Sequence, residues 1–404
     1  MPKVFQDFRV DRHQHALLFS TLLSRDPGDR SCELMADIKR FPCSQCGAEL
    51  AFNPKVGKLK CDYCGWEDDI PDTGAAVEER SYTEHLNANA TQLAALSTTA
   101  LEVGCNKCGA TLTFEPPQTA GQCPFCAAAI VSHPQQASPT LVPEAIIPFA
   151  LGRREARKAL QNWIQSRWFA PKDLKALAQQ ERLQGVYLPF WTYDAQTVSR
   201  YTGDRGDYYY ETETYTETNS EGETETKTRE VQHTRWRAVS GRVSRSFDDI
   251  LVPGTTLLNG ARLQALQPWH LKESLRPYNP SYLAGFEAQR NQISLKAGFA
   301  KAKPMIEAGI RRSVKRDIGG DEQRIDSVST TYSEITFKHI LLPVWLTAYR
   351  YQNQQYQVTI NACTGEVQGD RPYSTLKFVL AVIAGIAIAG IVAGIIIAAI
   401  ALSS

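Results

Sequence analysis

Eight of the ten cysteines fall into one spacing written twice: Cys43-x2-Cys46, fourteen residues, Cys61-x2-Cys64, and then Cys105-x2-Cys108, fourteen residues, Cys123-x2-Cys126. Each pair fits a tight turn, and two such knuckles joined by a short hairpin supply four thiolates for one tetrahedral ion. The spacing therefore predicts two zinc ribbons and two structural Zn2+. The residue after the second cysteine of a knuckle is Gly47, Gly65 and Gly109, a type that tolerates a left-handed backbone, and Ala127 alone breaks the series. A closed four-thiolate shell leaves no place for water or substrate, so the metal is expected to fold the module and not to catalyse. A disulfide framework is disfavoured, because the 404-residue chain opens with a charged stretch and no secretory leader.

The carboxy-terminal segment 378–402 carries no charge. At about 1.5 Å per residue its twenty-five residues would reach roughly 37 Å as a helix, against a hydrocarbon core of about 30 Å. The sequence thus predicts one transmembrane helix over 376–402, a tail-anchored chain, and the membrane as a partner through 378–402. Thiolates persist in a reducing compartment, and Arg371 and Lys377 precede the span, which places the soluble part in the cytoplasm and the chain at the inner (cytoplasmic) membrane as a single-pass protein. Gly390 and Gly394 form a small-xxx-small pair that would allow a homo-oligomer through the span.

Composition shifts divide the rest. Residues 1–36 read as an amino-terminal extension, and Met35 offers an alternative start that would leave it untranslated. The first ribbon covers 37–70, a polar linker 71–100, the second ribbon 101–132, a further linker 133–144 and an α+β core 145–375. Within the core, Leu188-Pro189-Phe190-Trp191 returns as Leu342-Pro343-Val344-Trp345, each after a helical stretch with a basic face, which points to a duplicated α+β unit. Segment 207–230 alternates Thr with Glu or Tyr around Asn219-Ser220-Glu221-Gly222 and predicts a long β-hairpin projecting into solvent. The fold expected is α+β and multidomain: two small β zinc ribbons, a core with a hairpin, and one carboxy-terminal transmembrane helix.

Catalysis has no visible footing. The chain lacks a G-x-x-x-x-G-K-[ST] phosphate loop, a G-x-S-x-G elbow and an H-E-x-x-H helix, and its seven histidines are scattered. Nucleic-acid binding is also disfavoured. Between residues 37 and 70 five basic residues face six acidic ones, and thiolate centres add negative charge, so no basic stripe meets a phosphate backbone. A basic helical stretch, Lys301 to Arg316, could rest on anionic headgroups or an acidic partner.

From about Met35 onward the chain resembles a bacterial family of tail-anchored TFIIB-type zinc-ribbon proteins, often labelled "primosomal protein N′ (replication factor Y), superfamily II helicase". The matching residues are Phe41-Pro-Cys-Ser-Gln-Cys-Gly-Ala, Cys61-Asp-Tyr-Cys-Gly, Ile147-Pro-Phe, Trp168-Phe-Ala-Pro-Lys and Gly185-Val-Tyr-Leu-Pro-Phe-Trp. The resemblance implies a membrane-anchored, non-enzymatic adaptor for protein partners, with PspA-like or flotillin-like (SPFH) membrane-stress proteins as the partner classes. Helicase activity is rejected for want of a phosphate-binding loop. The alternative expectation is a membrane-tethered nucleic-acid-binding zinc-ribbon protein related to replication or primosome factors.

Overall fold

The computed structural model describes residues 41–71, 74–88, 97–98, 101–113, 120–126, 128–131, 135–136, 140–166, 183–218, 223–351, 354–370, 382–383 and 385–395. The extension 1–36, Met35 and Ala127 lie outside the described residues.

Three long strands dominate: Gln184–Thr218, Thr224–Pro253 and Glu322–Tyr351. The first is central, pairing antiparallel with the second from Phe190↔Pro253 to Thr218↔Thr224 and with the third from Gln184↔Leu346 to Gly206↔Glu322. Its side chains change character along its length. Val186 to Tyr193 are buried on both faces, the next ten residues alternate, and the last dozen are mostly exposed. One strand thus begins as a core strand and ends as a solvated ribbon.

Two helices cover the sheet. Arg153–Gln165 buries Ala156, Leu160 and Ile164, and Leu295–Ile318 buries Phe299, Ala302, Ile306, Ile310 and Val314, each set at the three-to-four residue spacing of one helical face. Ser294 caps the longer helix by accepting from the Ala297 N–H, and Gly319, at φ 64°, ends it. Gly298 lets this helix sit against the sheet, since a Cβ there would lie 2.2 Å from Tyr193 Oη.

The two Leu-Pro-x-Trp phrases face each other across the sheet, with Leu188 directly opposite Leu342. Around that pair the contacts repeat with a local two-fold. Strand Ala145–Ile146 runs parallel to Ile340 and Leu341, as strand Glu287–Gln289 runs parallel to Val186 and Tyr187. Trp345 Nε1 donates to Leu151 O at 2.9 Å, two residues before helix Arg153–Gln165, and Trp191 Nε1 donates to Ile293 O at 2.8 Å, two residues before helix Leu295–Ile318. Each indole therefore fixes the start of the helix that precedes the other phrase in the chain.

The hairpin sorts its side chains by register. Thr214, Thr216 and Thr218 oppose Thr228, Thr226 and Thr224, while Glu213, Tyr215 and Glu217 oppose Arg229, Lys227 and Glu225 on the other face. Ion pairs of 2.9 Å between Arg229 and Glu213 and 2.8 Å between Lys227 and Glu217 tie the charged face across the strands.

Two expectations are corrected here. The fold is not an α+β multidomain assembly but mostly β-sheet, because the expected hairpin and both Leu-Pro-x-Trp phrases lie on strands of 35, 30 and 30 residues. Nor do the described residues hold the expected transmembrane helix: none of their helices is long and apolar enough to cross a membrane. Of segment 376–402, residues 382–383 and 385–395 are described and are helical. The tail anchor, the membrane contact through 378–402 and the single-pass inner-membrane placement of a cytoplasmic protein fall with the span. Gly390 and Gly394 lie exposed within the described stretch 385–395.

Candidate metal centres

The same turn builds the first knuckle of each ribbon. Cys43 N–H donates to Ala48 O and Gly47 N–H to Cys43 O, and Cys105 N–H donates to Ala110 O and Gly109 N–H to Cys105 O, all at 2.6 to 2.8 Å. Gly47, Gly65 and Gly109 sit at φ 73°, 78° and 73°, the left-handed region a knuckle needs. The folded turns bring Cys43, Cys46, Cys61 and Cys64 together in one group and Cys105, Cys108, Cys123 and Cys126 in another, with all sulfurs of a group within 4.8 Å of one another. Sulfur–sulfur separations are 3.5 Å for Cys43 to Cys64, 3.6 Å for Cys46 to Cys61, 3.5 Å for Cys105 to Cys126 and 3.6 Å for Cys108 to Cys123. A tetrahedron with metal–sulfur bonds of about 2.3 Å has edges of about 3.8 Å, so both groups fit a metal ion, and all eight cysteines are free of disulfides.

The backbone prepares part of each shell for thiolates. The Cys64 N–H points at Cys61 Sγ across 3.5 Å and draws the Cys61 thiol down to about 7. Burial opposes ionisation of Cys105, yet the amides of Cys108 and Lys107 bring it to about 7. Opposite shifts fall on their neighbours. The Ala48 amide favours a Cys46 thiolate, but the adjacent sulfurs of Cys64, Cys61 and Cys43 push that thiol to about 12, and burial lifts Cys108 to about 11. Four thiols this close ionise together only around a cation, which a divalent metal supplies.

The two groups differ in exposure. In the first, Cys46 and Cys64 are exposed, and in the second Cys105, Cys123 and Cys126 are buried with Cys108 half-buried. The cause is how each ribbon joins the core. The first forms its own sheet from Leu50–Asn53, Lys58–Cys61 and Glu67–Asp68, and leans on the core through Phe52, whose N–H donates to Ala284 O at 2.9 Å and whose ring meets Tyr282 edge-on at 5.3 Å. The second places strand Thr111–Thr113 within the main sheet, antiparallel to Glu287–Gln289, and packs Leu112 and Phe125 with Val186, Leu188 and Phe190. Chelator should accordingly release metal in two phases, a fast one from the first group and a slow one that follows unfolding. Dye-detected release of all metal in a single phase contradicts this.

Both ribbons thus hold one stretch of chain, 282–290, between them. Glu287, in the middle of it, is a buried carboxyl whose Oε2 has no hydrogen-bond partner among the described residues, and burial pushes it up to about 7 from 4.5. A carboxyl raised in the folded state contributes stability below its unfolded pKa and loses it as pH climbs through the folded value. Glu287→Gln should therefore remove a loss that develops between about pH 4.5 and 7, on the order of 3 kcal/mol, and raise stability at pH 8 in urea melts. An unchanged midpoint at pH 8 contradicts the assignment.

A further charged cluster escaped the sequence reading. Lys338, with a side chain only 7% exposed, places Nζ 2.8 Å from Glu79, 3.0 Å from Asp249 and 3.8 Å from Asp194. Burial would lower its pKa, but the carboxylates of Glu79 and Asp249 outweigh that and raise it. Burial pushes Asp194 up to about 6, and the Asp249 N–H, which donates to it, opposes the shift. A β-bulge at Asp194 and the left-handed φ of 53° at Asp249 aim both carboxylates at the ammonium. Asp248 and Glu334 complete a polar cleft beside it. Four sequence-distant segments meet there, and no local spacing announces the cluster.

The chain is 26% identical over 353 residues to the uncharacterized protein YdjG of Bacillus subtilis (strain 168), a match that covers 84% of this chain and 92% of that one. No family model matches the chain, and no solved structure matches it.

Proposed function

We propose that this protein is a non-enzymatic adaptor in which zinc, bound by Cys43, Cys46, Cys61 and Cys64 and by Cys105, Cys108, Cys123 and Cys126, rigidifies two ribbons, and that the first ribbon docks protein partners. Zinc suits the all-thiolate tetrahedral donor set, and four protein ligands leave it no open position for chemistry. The observation that carries the docking reading is the outer side of the first ribbon. Tyr63 is 86% exposed and Trp66 40%, on and just past the Cys61–Cys64 knuckle that a metal would fix, and Val56 is 43% exposed on the turn between Leu50–Asn53 and Lys58–Cys61. Rigid exposed aromatics are the usual anchors of protein interfaces, and they lose little conformational freedom on binding. The near balance of charge on this ribbon favours a protein over a phosphate backbone.

Affinity capture with the intact chain, compared with Tyr63→Ala/Trp66→Ala, tests this reading. The double variant should keep two zinc ions per chain and lose the captured protein, for which PspA-like and flotillin-like proteins are candidate classes. Identical capture by both forms, or retention of nucleic acid in place of protein at low salt, overturns it.

A further inference from the structure

The long hairpin is electrically lopsided. Beyond Gly206↔Glu322 the third strand ends, and the pairs from Asp207↔Arg235 to Thr218↔Thr224 continue as a two-stranded ribbon of about 40 Å, at about 3.3 Å per residue. Residues 208–234, which make up this tip, hold seven glutamates against Lys227 and Arg229. The stem, 196–205 and 235–246, holds six arginines against Asp204. Helix Leu295–Ile318, which lies on one face of the stem, adds seven Lys and Arg against Glu307 and Asp317.

Most stem cations are already partnered. Arg205 and Arg237 reach Asp207 at 2.8 and 3.7 Å, Arg235 lies over the Tyr209 ring, and Arg245 donates to Gly309 O at 3.0 Å. Arg200 and Arg242 are different. They are direct cross-strand partners, they face away from the helix because Tyr201 and Arg245 face towards it, and neither forms an ion pair among the described residues. Like charges directly opposite each other destabilise a strand pair unless an anion joins them.

The sheet holds tip and stem apart, so a tip cannot reach the stem of its own chain. A second copy laid antiparallel brings each acidic tip onto the other's basic stem, and the two-fold makes the contact twice. We propose that the protein self-associates in this way, with the glutamate-rich ribbon of one copy across Arg200 and Arg242 of the other.

Sedimentation velocity of the full chain at low and high salt provides the test. Wild type should dimerise at low salt and dissociate as salt rises. Arg200→Glu/Arg242→Glu and, separately, Glu211→Lys/Glu213→Lys/Glu217→Lys should each be monomeric while keeping a cooperative unfolding transition, and an equimolar mixture of the two should recover a heterodimer. A wild type that stays monomeric at every concentration overturns the proposal. So does a dimer indifferent to both reversals, or a mixture that does not associate. Retention of anionic vesicles or DNA by a monomeric wild type, lost with Arg200→Glu/Arg242→Glu, assigns the face to another polyanion and likewise overturns it.

Discussion

Cys123→Ser is expected to abolish cooperative folding of the whole protein, whereas Cys46→Ser should leave a folded core with one metal ion fewer. Zinc binding to a four-ligand site contributes about 10 to 16 kcal/mol of apparent folding free energy in small zinc modules, as much as the total stability of an ordinary domain. In the second ribbon that energy is coupled to the main sheet. Thr111–Thr113 is one of its strands, Cys123 and Phe125 are buried beside Phe190 and Val344, and Gln357 Nε2 donates to the Phe125 carbonyl. The first ribbon pairs its strands only with one another, so its loss exposes the Phe52 contact and little of the main ladder. Soluble yield, metal content and urea unfolding of the two variants check the contrast. Equal damage from both contradicts the unequal coupling.

Lys338→Ala is expected to cost about 3 to 5 kcal/mol at pH 7.5, the usual penalty for stranding buried charges by removing one partner. Glu79, Asp194 and Asp249 would then face one another without the ammonium that now lies within 3.8 Å of each. The penalty should shrink on acidification. Asp194 has a folded pKa raised to about 6 from 3.8, so its share of stability is present below 3.8 and lost as pH rises through 6. At pH 5 the carboxylates take up protons more readily in the variant and the gap to wild type should narrow. A gap that is constant from pH 5 to 8 in chemical denaturation contradicts the charge account.

The metal groups were legible because thiolate ligands two residues apart dictate a local turn, and fourteen residues allow only a short hairpin between knuckles. Local spacing carried the information. The hairpin was legible from the same kind of signal, a period of two around a turn, although its length was not. Expectation placed it at 207–230, while its strands run on to Gln184 and Pro253, and Val186 to Tyr193, buried on both faces, show no alternation to read. Lys338 was hidden because Glu79, Asp194 and Asp249 come from separate stretches of chain. The pairing of Trp191 and Trp345 with each other's helices was hidden too: a repeated phrase reveals a repeat but not which half each copy binds. The expected span shows the opposite failure. Apolar composition over 378–402 argued for a helix that crosses a membrane, and among the described residues no helix is long and apolar enough to do so.

The most direct test of the account is the metal itself. Native mass spectrometry of the protein isolated under reducing conditions, with X-ray absorption at the zinc edge, should find two zinc ions per chain and a shell of four sulfurs at about 2.3 Å. Protein that is folded yet metal-free, or whose eight knuckle cysteines are paired as disulfides, would contradict it.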